Sequence, residues 1–128
     1  MSYYFSKVLD TDFQTAIDRT VAGLKVKGFG IITEIDLKTT FQNKLGKDIR
    51  PYRILGACNP NYAYEAIQVE NKVATMLPCN VIVQELEDGK IEVAAINPVE
   101  SMAAIRNDRL KDLAGNVEGL LKEVVENL

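Results

Sequence analysis

Val81-Ile82-Val83-Gln84-Glu85-Leu86-Glu87-Asp88-Gly89-Lys90-Ile91-Glu92-Val93-Ala94-Ala95-Ile96 contains two β-rich runs, Val81 to Leu86 and Ile91 to Ile96, either side of Asp88-Gly89. An Asp-Gly pair between such runs is a strong hairpin signal, because both residues tolerate the positive φ that the favoured two-residue turns require. Strands joined so tightly run antiparallel. A purely parallel sheet is thereby excluded, and the rest of the chain has to be arranged around this pair.

Downstream, Asn97-Pro98 reads as a helix start. Asparagine caps the free amides, and proline occupies the first helical position, where its missing N–H costs nothing. Glu100 adds a capping spacing. Leu110, Leu113, Val117, Leu120, Leu121, Val124 and Leu128 then recur as one helical stripe. Upstream, Asn59-Pro60 repeats the same start signal and opens a helix with Tyr62, Ala63, Ala66 and Ile67 inward. Tyr52 to Cys58 is apolar on both faces after Arg53, the pattern of a strand placed centrally in a sheet. Asp36 caps a short helix carrying Leu37, Phe41 and Leu45 that Gly46 closes. Phe29 to Ile35 alternates as a half-buried strand, with Phe29, Ile31 and Ile35 on one side and Glu34 on the other. Thr11 and Gln14 fit a capping box for a helix striped by Phe13, Ala16, Ile17, Val21 and Leu24, with Gly28 at its end. Ser2 to Leu9 reads as a strand. The order is β-α-β-α-β-α-β-β-α. The expected class is α+β: one mixed, largely antiparallel sheet of about five strands with helices packed on it, as a single domain over residues 1–128.

Composition sets the limits on function. The chain has 128 residues, 47% of them hydrophobic and 26% charged, which is ordinary for a globular chain able to bury a core without staples. The net charge is -3, and the basic residues are scattered, which argues against nucleic-acid binding. No apolar run approaches the length of a membrane span, and Met1 to Asp10 lacks the pattern of a signal peptide. A cytoplasmic location with two free thiols is the expectation.

Histidine is absent, which removes Ser-His-Asp and Cys-His nucleophilic sites. Two cysteines twenty-one positions apart do not make a zinc set or a Cys-x-x-Cys redox pair. No phosphate-binding glycine loop is present. No metal and no cofactor is expected. What remains is Arg50-Pro51-Tyr52-Arg53-Ile54-Leu55-Gly56-Ala57-Cys58-Asn59-Pro60, followed by Leu77-Pro78-Cys79-Asn80. Each cysteine precedes an asparagine, and a strand–helix–strand return would bring the two pairs together. Cys58 would stand before a helix N-terminus, whose partial positive charge attracts anions and lowers thiol pKa. The plainer reading is that both cysteines are small core residues and Asn59 is a cap. Arg50 and Arg53, either side of Tyr52, could clamp an anion, or else form a surface ion pair or a dimer contact. Glu34 and Asp36 share a strand face and could act together, although a solvated face explains them more simply.

The run Arg50 to Pro60, together with Lys44-Leu45-Gly46, Leu77-Pro78-Cys79-Asn80-Val81 and Gly28-Phe29-Gly30-Ile31-Ile32-Thr33-Glu34-Ile35-Asp36, resembles the prokaryotic family called domain of unknown function 302. The likeness spans roughly Ser2 to Pro98. It implies a small α/β-type fold, sometimes as a homodimer, and no established activity, cofactor or catalytic residue. Three functions follow as expectations. One is a ligand-binding domain for a small molecule or anion, with a crevice near Cys58, Asn59, Cys79 and Asn80 and with Tyr52 and Arg53 as further contacts. A second is thiol chemistry at Cys58 with Cys79 as partner. The third is a homodimeric interaction module.

Overall fold

A computed structural model describes residues 2–128. Five strands, β1 (Tyr4–Leu9), β2 (Gly30–Asp36), β3 (Tyr52–Cys58), β4 (Cys79–Glu85) and β5 (Ile91–Ile96), form one sheet in the order β1-β5-β4-β3-β2. Helices α1 (Phe13–Val26), α2 (Leu37–Leu45), α3 (Pro60–Val69), α4 (Pro98–Ser101) and α5 (Asp108–Glu126), with a 3₁₀ turn at Val73–Met76, supply the remaining elements. The α+β class is as the sequence implies. All four strand pairs are antiparallel, so the sheet has no parallel component. The reason lies in the connections. The segments carrying α2 and α3 each return the chain to the end of the sheet it left, and adjacent strands must then oppose each other. Only α1 crosses the sheet, carrying the chain from one edge strand to the other.

Register decides which residues face the helices. The directly paired sets Leu55–Val81–Ala95 and Val83–Val93 point to the helix side and are almost fully buried. With Leu9, Ile91, Ala57 and Cys79 they meet Ala16, Ile17 and Leu24 of α1 and Val117, Leu121, Val124 and Val125 of α5. A second, smaller core gathers Ala66 of α3, Val73, Met102, and Leu110 and Ala114 of α5. The sheet's other face carries the cross-strand row Ile35–Ile54–Ile82–Ala94–Ser6, and Ile35 on it is 44% exposed.

Several local expectations change. Asp12, not Thr11, caps α1, its carboxylate accepting the Thr15 amide at 2.8 Å. The strand β2 does not alternate regularly. Its pairing with β3 slips between Ile31 and Thr33, leaving Ile32 as a bulge residue. The bulge turns Ile35 to the open face and Glu34 to the helix side, reversing the expected sides. β3 is internal as expected, but β4 is the middle strand. The β4–β5 loop is longer than a two-residue turn: Leu86 N–H donates to Lys90 carbonyl, and Gly89 sits at φ +84° within the loop. That is a three-residue hairpin with glycine in the left-handed region. The helix expected from Asn97 onward is two helices. Asn97 caps only the short α4, and Asn107 caps α5, accepting the Leu110 amide at 3.1 Å.

Candidate functional site

Strand direction brings four chain segments to one end of the sheet. β3 ends there at Cys58, β4 begins there at Cys79, β2 begins there after Phe29, and β5 leaves there toward Pro98. Across this end lie α3 and the first half of α5. The two cores do not merge here. Between them is a cavity of about 290 Å3, walled by Phe29, Ala57, Cys58 and Cys79 from the sheet side, Tyr62 and Ala66 from α3, and Met102, Leu110 and Leu113 from the α4–α5 side.

The gap has a cause in the sequence. Ala57 of β3, Ala63 and Ala66 of α3, Ala74 of the 3₁₀ turn and Ala114 of α5 all line the space. Each presents a methyl group where leucine would fill the void. No charged side chain lines it among the described residues. Ile32, on the β2 bulge and 61% exposed, and Ile67 of α3, 40% exposed, stand at its rim.

The candidate residues separate into three groups. Cys58, Asn59 and Cys79 line the cavity. Tyr52 and Asn80 lie instead in a separate depression on the open face of the sheet, beside Tyr4, Gln84 and Glu92. Arg53 is at the far end of β3 from Cys58. Its guanidinium contacts Glu34 at 3.1 Å and Asp36 at 3.6 Å and lies 5.5 Å from the centre of the Phe13 ring. Two carboxylates already answer its charge. Glu34 and Asp36 thus share a site, and the site is an ion-pair cluster. Asp36 is held below the usual carboxylate range, first by the Thr39 amide it caps and also by Arg53. Arg50 stands apart from Arg53, donating from Nε to Gln84 at 2.8 Å with its guanidinium 5.4 Å from the centre of the Tyr52 ring.

Asn59 is in the cap position of α3, but its side chain does not cap the helix. Its Nδ2 instead makes a long hydrogen bond, 3.4 Å, to the Lys27 carbonyl. It also lies so close to the α1–β2 turn that a Cβ on Gly28 would come within 3.1 Å of it. Gly28 is therefore doubly constrained, by φ +87° and by this neighbour.

Both cysteines are free. Cys58 is half-buried, while Cys79 is 8% exposed. Burial, with a smaller contribution from neighbouring Cys58, pushes the Cys79 thiol up to about 11. Cys79 is thus a neutral thiol at physiological pH. Among the described residues no group of three or more His, Cys, Asp or Glu side chains is placed to hold a metal ion, and no helix is long and apolar enough to cross a membrane.

The alanine wall was the element least visible beforehand. Ala63 and Ala66 are legible as inward positions, but their meaning depends on Ala57, Ala74 and Ala114 standing opposite, which only the fold reveals.

The model of the family described as domain of unknown function DUF302 matches residues 5–128. The chain belongs to this family. A solved structure, that of an uncharacterized conserved protein DUF302 from Bacillus stearothermophilus, is similar at a TM-score of 0.91 and 24% sequence identity, with 98% of each chain covered. The shared fold is what that likeness establishes. No curated protein matches the chain. Membership of DUF302 brings no specific function with it, so the reading of the site rests on its geometry.

Proposed function

We propose that the chain binds a small, uncharged and largely apolar molecule in the cavity between the sheet end and the α3–α5 pair. The observation that carries this is the wall of five alanines around about 290 Å3 of space without a charged group. Protein interiors close-pack, and ligand sites are the concave, mostly apolar exceptions, from about 300 Å3 upward. An anion finds little support here, since the cavity offers no cationic side chain and burying an unpaired charge is costly. The two free thiols fit a reducing, cytoplasmic setting.

The test is titration with phenylnaphthylamine, an uncharged dye that fluoresces in apolar sites, followed by displacement with medium-chain aliphatic alcohols. Saturable binding that Ala66→Leu abolishes is the expected result. Equal fluorescence from the filled variant would remove the cavity as the site.

A homodimer is a second reading, carried by the open face of the sheet. Its row Ile35–Ile54–Ile82–Ala94 is only partly covered, and the same face carries both Arg50 and Glu92, bridged through Gln84. A second copy related by a two-fold axis would cover the row and could oppose those charges, the self-complementary pattern of such interfaces. Sedimentation should show a dimer that Ile54→Lys converts to a folded monomer. A wild-type chain that stays monomeric at high concentration would end this reading.

A further inference from the structure

Two cysteines line the proposed binding cavity, and they are not equivalent. Cys79 sits on β4 opposite Ala57, nine-tenths buried, with no hydrogen-bond partner among the described residues. Cys58 is the last residue of β3, half-buried and beside the same space. Immediately after it, the ten-residue α3 begins without a side-chain cap, because Asn59 is turned toward the Lys27 carbonyl and Pro60 has no N–H. The amides of Asn61 and Tyr62 are therefore donors that no side chain caps, at the positive end of the helix. The cavity thus combines an apolar chamber, a half-buried cysteine in its lining and the uncapped start of α3 directly after that cysteine in the chain.

We propose that Cys58 captures alkyl-substituted soft electrophiles, enals and enones, that the cavity has first bound through their hydrocarbon portion. This inference rests on the cavity-binding reading. In the reaction the Cys58 sulfur bonds to the β-carbon of the unsaturated carbonyl compound. The π pair of the carbon–carbon double bond shifts through the enolate to the α-carbon, and the proton lost by the thiol ends there. The oxygen gains negative charge on the way, which is the charge that amide donors at a helix start stabilise. No oxidant, reductant or leaving group is required. A dithiol exchange would require both an oxidant and ionisation of one thiol. Cys79 is ill suited to it, since burial pushes its thiol up to about 11 and keeps it neutral near pH 7.

The experiment compares nonenal with acrolein, the same reactive group with and without the alkyl chain. Adducts on the native full chain are followed by intact-mass spectrometry and mapped to the residue. Each rate is divided by that of free cysteine with the same reagent. Nonenal should then exceed acrolein at Cys58 by at least about tenfold, the minimum expected of a bound and oriented reactant. Saturated nonanal should slow it, and Cys58→Ser should lose it. Ala66→Leu, which fills the chamber but keeps the thiol, should erase the nonenal preference. Equal normalised rates, or an adduct on Cys79 instead of Cys58, would overturn the proposal. Displacement of phenylnaphthylamine by nonanal separates the two failures. Displacement without a rate preference removes the capture and keeps the binding site, whereas no displacement removes both.

Discussion

Gly56 shows how much of this fold is decided at single residues. It lies inside β3, fully paired, where glycine ordinarily weakens a strand. A Cβ there would collide with the Thr33 side chain of β2 and come within 2.8 Å of Pro78 Cγ. The β2 bulge is what brings Thr33 opposite Gly56. The glycine is thus required by a close approach and not by its own φ. Gly56→Ala is expected to destabilise the chain by roughly 2–3 kcal/mol through overpacking, read as a lowered urea midpoint with unchanged slope. Thr33→Gly should restore part of the loss by removing the nearest clash, whereas a neutral Gly56→Ala would mean that the bulge yields. The sequence displays Gly56 inside an apolar run but gives no sign of this contact, because Thr33 reaches it only through the slipped register.

The elements themselves were largely legible, and their boundaries less so, for a consistent physical reason. Periodicity exposes α5 and the β4–β5 pair because burial on one side imposes it over many residues. Caps are local competitions among neighbouring polar residues, and sequence cannot arbitrate between Thr11 and Asp12. The same applies to Asn97 and Asn107. Both cap a helix, yet the strong Asn-Pro signal marks only the four-residue α4. Asn107 does more: its Oδ1 accepts from Leu110 N–H and its Nδ2 donates to the Val69 carbonyl at 2.8 Å. One side chain starts α5 and fastens it to the end of α3, the two helices that frame the cavity. Asn107→Ala should therefore cost about 1–2 kcal/mol, at the upper end for a cap. Asn107→Asp keeps the cap but loses the donor, and is expected to fall between wild type and Asn107→Ala in chemical denaturation. If Asn107→Asp is as stable as wild type, the tie to α3 contributes nothing.

At the scale of the whole molecule, the chain maintains two hydrophobic cores with a space between them. Cys58, Asn59 and Cys79 gather at this end of the sheet, Asn80 stands beside them but on the open face, and Tyr52 and Arg53 lie toward the other end of β3. Proximity in the sequence run does not become proximity in space because β3 spans the sheet: residues at its start and its end lie at opposite ends of the molecule. A void retained for binding has a thermodynamic signature that an incidental packing fault shares only in part. Filling either one with apolar atoms should stabilise the fold, at about 0.8 kcal/mol per buried methylene less the cost of strain. Ala66 is 7% exposed on α3 and faces the space directly, so Ala66→Leu is expected to add about 1–2 kcal/mol and raise the melting temperature by about 3–6 °C. For a binding site, the same substitution must also abolish dye binding, giving a more stable and less functional chain. Stabilisation with dye binding intact would mark the cavity as a packing fault. Destabilisation would show that the walls close on themselves in solution and that no such space exists to be filled.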